Sequence, residues 1–279
     1  MSRLNLYIDV DVFRKHFAGS ATLDTDDAAG IERVIEAASR RVDEATRRHF
    51  YALTDTIVLH GNGCSEIAIP DLLSATSIKL DEDGDRTFEL MLAAVTDYYL
   101  LRHGYEDEDA PPATMLRLDG VNGQRLSFLA RPRLIQIIGR WGFTEATESV
   151  GTAAEALDAG ETGLDVADGT LYSVGQTINI DDEDMYVSAI ATNTLTVTRG
   201  VNGTTDVAHL TAAPIVRYVY LSQVREAALI LAGRMWKRRE TSYANVIQNP
   251  IVGSYETFKF MDPDVERLLE PLIRGDRIL

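Results

Sequence analysis

The chain has 279 residues, 45% hydrophobic and 25% charged, with a formal net charge of −16. That much apolar material supports a packed core and excludes wholesale disorder, and the length admits one or two domains. The acidity excludes a general DNA-binding footprint, which needs clustered Lys and Arg against phosphate, though a like-charged surface lets DNA pass without sticking. The lone cysteine, Cys64, permits neither an internal disulfide nor a thiolate metal site and points to a reducing compartment. Met1-Ser2-Arg3-Leu4-Asn5 has no signal-like apolar run, and no stretch approaches the ~20 apolar residues of a membrane span, so the cytoplasm is the expected place of synthesis.

In chain order, Leu4, Leu6, Ile8, Val10 and Val12 alternate with polar residues and predict a strand; a short helix capped by Asp9 or Asp11 is the alternative. A helix is predicted over 27–49, where Ile31, Val34, Ile35, Ala38, Val42 and Ala45 form one stripe. Asp26 and Asp27 stand at its positive end, and Arg40, Arg41, Arg47 and Arg48 at its negative end. Strands follow at 56–60, 66–69 (ended by Pro70), 76–80, 98–101, 115–118 and 133–138. Asn62-Gly63 and Asn122-Gly123 suggest hairpin turns, 81–84 an acidic turn, and 106–109 with Pro111-Pro112 an exposed loop.

Residues 151–216 hold ten acidic side chains and one basic, Arg199. Eleven threonines there, with strand patterns at 177–180, 185–190, 194–199 and 214–220, predict a small acidic all-β domain inserted at 147–216. The flanks, 1–146 and 217–279, then make one discontinuous domain. A second long helix is predicted over 222–240, with Leu221, Val224, Ala228, Leu231, Ala232 and Met235 in a stripe and Leu229, Ile230 and Trp236 beside it. A short helix over about 263–270 starts at the cap Asp262 with Pro263 in its first turn, and an apolar, basic tail, 271–279, follows. The expected fold class is α+β: a helical core built on the long helices 27–49 and 222–240, an antiparallel sheet or hairpin region, and the inserted all-β domain.

Little in the chain suggests catalysis. There is no phosphate loop and no Gly-x-Ser-x-Gly elbow. The histidines His16, His49, His60, His103 and His209 lack helical ligand spacing, and Cys64 has no evident base. Asp181, Asp182, Glu183 and Asp184 are weak candidates for a divalent cation, but an acidic run between strands reads first as a solvated turn. No catalytic residue, no metal and no cofactor is expected. Arg47, Arg48, Arg234, Trp236, Arg238 and Arg239 are candidates for subunit contacts, against the plainer reading that the basic helix ends complement the dipole.

Joined, the flanks carry an ordered set of motifs. These are Tyr7-Ile8-Asp9-Val10-Asp11-Val12-Phe13, Ile35-Glu36-Ala37-Ala38-Ser39-Arg40-Arg41-Val42-Asp43, Arg47-Arg48-His49-Phe50-Tyr51 and Ile137-Ile138-Gly139-Arg140-Trp141-Gly142-Phe143. Lys237-Arg238-Arg239-Glu240, Val252-Gly253-Ser254-Tyr255 and Met261-Asp262-Pro263-Asp264-Val265, with Leu268-Leu269, Pro271 and Arg274, complete it. This order resembles the head–tail connector, or adaptor, family of tailed bacteriophages, whose members usually run almost directly from the Trp-Gly strand into the long helix. The insert, through Val174-Gly175-Gln176-Thr177-Ile178-Asn179-Ile180, Glu183-Asp184-Met185-Tyr186-Val187, Leu195-Thr196-Val197-Thr198-Arg199-Gly200, Asn202-Gly203-Thr204-Thr205 and His209, resembles a β module common in phage structural proteins.

The resemblance implies a non-enzymatic virion protein at the head–tail junction, assembled in the host cytoplasm. It implies a dodecameric ring beneath the portal that continues the DNA channel and meets a stopper or tail-completion protein. The implied partners are the portal protein, that tail-side protein, other copies of the chain, and double-stranded DNA passing without sequence-specific binding; no membrane is involved. By position, the family's portal-docking tail maps to Glu270, Leu272, Ile273, Arg274, Arg277, Ile278 and Leu279. The alternative expectation is an outward-facing neck or tail module whose β insert contacts another virion protein or an external ligand.

Overall fold

The computed structural model describes residues 5–18, 25–102, 112–240, 246–249, 253–256 and 261–275. The chain divides into two compact units, one of Arg48–Glu145 with Arg274–Leu279 and the other of Met1–Arg47 with Ala146–Ile273. The expected insert is thus grouped with the flanking helices, while 48–145 stands as a unit of its own.

The unit around 48–145 is one antiparallel sheet. Its strands are β1 (Leu53–Leu59), β2 (Glu66–Leu80), β3 (Leu90–Leu92), β4 (Tyr98–Arg102), β5 (Ala113–Leu118) and β6 (Ile135–Trp141). They lie in the order β1-β6-β2-β5-β4, with β3 also on β2. β6 alternates strictly, burying Ile135, Ile137 and Trp141, which pack with Ile69, Leu72, Ile78, Leu80, Leu116 and Phe128. Each such side chain taken from water contributes roughly 1.5–3 kcal/mol.

Two local expectations fail here. Asn62-Gly63 does join β1 to β2, but the two strands are not neighbours, because β6 pairs with both. Pro70 does not end a strand either. β2 runs through it, and the register against β5 slips between Ala68 and Leu72, while pairing with β6 begins only at Leu72. The proline therefore occupies an irregular stretch where its missing N–H costs no ladder bond.

The other unit combines helices with a second sheet. The helices are α1 (Val10–Phe13), α2 (Thr25–Thr46), α3 (Ser222–Glu240) and α4 (Pro263–Leu269). The sheet is β7 (Thr147–Thr152), β8 (Gly163–Asp165), β9 (Thr177–Ile180), β10 (Glu183–Ala191), β11 (Thr194–Thr198) and β12 (Pro214–Tyr218), ordered β7-β12-β9-β10-β11-β8 and antiparallel throughout. A separate backbone hairpin joins β13 (Val246–Asn249) and β14 (Gly253–Glu256). Ile31, Ile35, Ala38 and Val42 of α2 and Val224, Ala228 and Ala232 of α3 are wholly buried, and the two helices pack together.

The segment 5–13 ties this sheet to α2. Tyr7 N–H donates to Ser39 Oγ at 3.1 Å, and Arg40 donates to the Asn5 carbonyl at 2.8 Å. Toward the sheet, Asn5 Nδ2 donates to Asn202 Oδ1 at 2.7 Å, Gln176 Nε2 to Asp9 Oδ2 at 2.9 Å, and Val10 N–H to the Val174 carbonyl at 3.2 Å. The Tyr186 hydroxyl donates directly to Glu32 on α2. The alternation at 4–12 does not make a strand: the polar residues reach both neighbours, and the chain turns helical at Val10.

Among the described residues the fold is mostly β, with two six-stranded antiparallel sheets and 26% helix. The expected α+β class with a helical core is overturned. The periodic stripes on 25–46 and 222–240 are local and easily read, whereas sheet size depends on which distant strands meet.

Candidate functional site

Three motif segments from the flanks converge on Asp71. Arg48 Nη1 lies 3.0 Å from both Asp71 carboxylate oxygens, and Arg274 Nη1 lies 3.3 Å from Oδ1. Arg274 also donates to the Ile69 carbonyl at 2.5 Å, and it is 4% exposed, as is Asp71. Phe143 N–H donates to the His49 carbonyl, Gly142 N–H to the Asp71 carbonyl, and the Arg48 guanidinium stacks over the Phe143 ring at 5.1 Å. Gly142 has φ +143°, and a Cβ there would come within 2.1 Å of the Tyr51 carbonyl oxygen, so the turn after Trp141 requires glycine. One buried carboxylate thus receives two cations; Arg274 is further satisfied by the Ile69 carbonyl, while Arg48 gains the Phe143 ring and leaves its buried Nε without a hydrogen-bond partner among the described residues.

Within the acidic run 181–184, Asp181 and Asp182 form the expected exposed turn, whereas Glu183 and Asp184 begin β10 and form a second buried centre. Glu183 and Asp184 are 1% and 0% exposed. Arg199, the only basic residue of 151–216, clamps Glu183 in a bidentate pair, with Nε and Nη2 each 2.7 Å from a carboxylate oxygen. Its remaining protons go to the carbonyls of Asp158, Glu161 and Val207. Glu183 also accepts from the Gly200 and Val207 amides and faces His209 Nε2 at 3.0 Å, while Asp181 faces His209 Nδ1 at 2.8 Å. Burial alone would raise the Glu183 pKa; the Arg199 bonds, with the Val207 amide, His209 and the Gly200 amide, outweigh it and hold it at about 2. Asp184 accepts from Asn179, Asn202 and Tyr218. With their oxygens committed to protein donors, these carboxylates are not arranged to wrap a cation. The motif residues Glu183, Arg199, Gly200 and His209 are explained as one internal clasp.

The remaining predicted residues are scattered. Arg234 pairs with Asp262, whose side chain caps α4 by accepting from Asp264 N–H at 2.9 Å. Trp236 is buried, edge-on to Phe13 at 5.9 Å. Arg47, at φ 58°, and Arg238 are exposed. In the proposed tail Glu270 and Ile273 are exposed and Leu272 is half-buried. The side chains of Asp26, Asp27 and Arg239, residues 106–109 with Pro111, and Arg277, Ile278 and Leu279 lie outside the described residues.

Other features escaped the sequence reading. Asp81, Asp83, Asp85 and Glu89 bring carboxylate oxygens within 4.8 Å of one another, although Asp81 already accepts from the Gly84 and Arg86 amides. Asp97 and Asp119 organise two abutting loops. Asp97 accepts from the amides of Ala93 and Gln124 and from Gln124 Nε2; Asp119 accepts from the Val121 and Asn122 amides, Asn122 Nδ2 and the Tyr99 hydroxyl. These bonds lower both pKa values, the Ala93 amide leading for Asp97 and the Val121 amide for Asp119, which falls to about 2. Asn122-Gly123 is a local signal for the second of these loops, read only as a hairpin turn.

No helix among the described residues is long and apolar enough to cross a membrane. No family model, no curated protein and no solved structure matches the chain.

Proposed function

We propose that the chain is a structural component of a tailed-phage head–tail junction, forming a ring beneath the portal that continues the DNA channel toward a stopper or tail-completion protein. The observation that carries this reading is the ordered set of motifs in 7–51, 137–143 and 237–274. Supporting it, Arg48, Gly142 and Arg274, drawn from three separated motifs, meet at Asp71, the two arginines on its carboxylate and Gly142 on its carbonyl, so their co-occurrence has a common physical purpose. The charge of −16 suits a channel wall that DNA must traverse without adhering. Ring closure requires heterologous contacts related by rotation. With Arg48, Arg274, Arg234 and Trp236 engaged within the chain, such contacts fall to other surfaces. Electron microscopy of particles carrying the tagged protein tests the reading: density for a ring at the portal–tail junction is expected, and a tag found elsewhere, or a junction without it, rejects the proposal.

A further inference from the structure

Of the histidines among the described residues only His209 is buried, and both of its ring nitrogens meet carboxylates. Nδ1 lies 2.8 Å from Asp181 Oδ2, and Nε2 lies 3.0 Å from Glu183 Oε2. A neutral imidazole carries a single N–H, so it donates to one carboxylate and turns a lone pair on the other. The imidazolium donates to both, and the geometry fits that form.

The two arms of this contact are unequal. Glu183 is fixed: it is buried, Arg199 grips both its oxygens, and the Gly200 and Val207 amides add two further bonds. Burial opposes its charge, yet the Arg199 bonds keep its pKa at about 2, so it faces Nε2 as an anion that cannot withdraw. Asp181 can withdraw. Its side chain is 58% exposed, and the His209 ring is its only side-chain hydrogen-bond partner among the described residues. A neutral ring would therefore keep its proton on Nε2, and the bare Nδ1 would repel Asp181 into solvent.

Asp181 and Asp182 form the turn between β9 and β10, and Asp181 stands at φ +52°, in the left-handed region. His209 is held independently by two backbone bonds to Leu157, so its own segment stays in place when the Asp181 arm lets go. The other charged groups on the elements packed around the ring are Arg199, Asp158, Glu161, Asp182, Asp184 and Asp206. Arg199 is engaged by Glu183 and, at 3.0 Å, by Asp206; the rest are acids, which attract a charged ring.

We propose that His209 is a proton-gated latch. As the imidazolium it ties the β9–β10 turn to the 206–210 segment through Asp181; when Nδ1 gives its proton to solvent, the ring keeps Glu183 and releases Asp181. The latch lies within one unit and does not depend on the ring reading.

The test uses the full-length chain with ¹⁵N-labelled histidine, the His209 ring signals assigned through their connection to the 209 backbone. At about pH 7.5, where an exposed imidazole is mostly neutral, both His209 nitrogens should carry protons, and raising the pH should strip Nδ1 while Nε2 keeps its own. Over the same range the amides of 181–183, corrected for intrinsic exchange, should exchange about threefold faster or more. In Asp181→Asn the side-chain amide can donate to a bare Nδ1, so the contact survives loss of the proton and the acceleration should vanish. Circular dichroism verifies that this variant folds. A His209 with one ring proton at about pH 7.5, loss of the Nε2 proton first, or the same acceleration in Asp181→Asn as in the parent chain overturns the proposal.

Discussion

Each unit of the molecule buries a carboxylate against arginine, but the two assemble that centre over very different spans of chain. Glu183 takes its partners from 16 to 26 residues away, all within the stretch that forms the second sheet. Asp71 takes Arg48 from 23 residues away and Arg274 from 203. The first is a local clasp, complete once its own sheet has formed. The second is a distant one, making the first sheet's unit depend on residues that follow the whole of the other unit. Two centres with similar chemistry should therefore fail differently, and hydrogen exchange read peptide by peptide distinguishes them.

Glu183→Ala has the largest expected effect. It removes the buried bidentate partner of Arg199, leaving that cation only Asp206 and backbone carbonyls, and takes an acceptor from His209 and two amides, a loss of about 3–5 kcal/mol. Exchange should rise across 155–209 and leave 53–141 unchanged; equal loosening of both units would erase the distinction. Arg274→Ala should cost less, about 1–3 kcal/mol, because Arg48 still neutralises Asp71. Its exchange increase should appear around Ile69, Asp71 and the 141–143 turn, some 200 residues from the substitution. An effect confined to the C-terminus would show that the distant clasp contributes nothing.

Acid sharpens the contrast. Glu183 has a folded pKa of about 2 against an ordinary value of 4.5, so its stabilisation is complete above 4.5 and is lost as pH falls from there toward 2. Denaturant midpoints of the second sheet should drop through that window, and Glu183→Gln should flatten the drop while lowering the neutral-pH midpoint. Asp119 behaves in the same sense in the other unit, from 3.8 down to about 2. The smallest effect is expected for Arg41→Ala, which removes an exposed pair with Glu44: about 0.5 kcal/mol or less, with no change in either exchange pattern.

What could be read from the sequence was what is local. The α3 stripe and the Asp262-Pro263 helix start are decided by neighbours three or four residues apart, and both elements are present. The position of β6 between β1 and β2 is decided by pairing over roughly 55 to 90 residues, for which hairpin signals say nothing. The same limit explains the sites. Glu183 looks solvated with the rest of its tetrad because its neutralising cation, Arg199, lies 16 residues on, just past the end of the next strand. Arg48 and Arg274 looked available for partners because Asp71, between Pro70 and Leu72, carries no local mark of its role. Asp97 likewise gives no sign that it organises a loop 27 residues downstream.

The Arg274–Asp71 pair also sets an order on biosynthesis. At ordinary rates of translation, on the order of 10–40 s separate the emergence of Asp71 from that of a partner 203 residues later. During that interval the first sheet's unit exists on the ribosome with only one of its two arginines. The N-terminal segment waits almost as long, since Asn5 meets Asn202 across 197 residues. A product released before Arg274 therefore lacks one of the two cations that neutralise the buried Asp71.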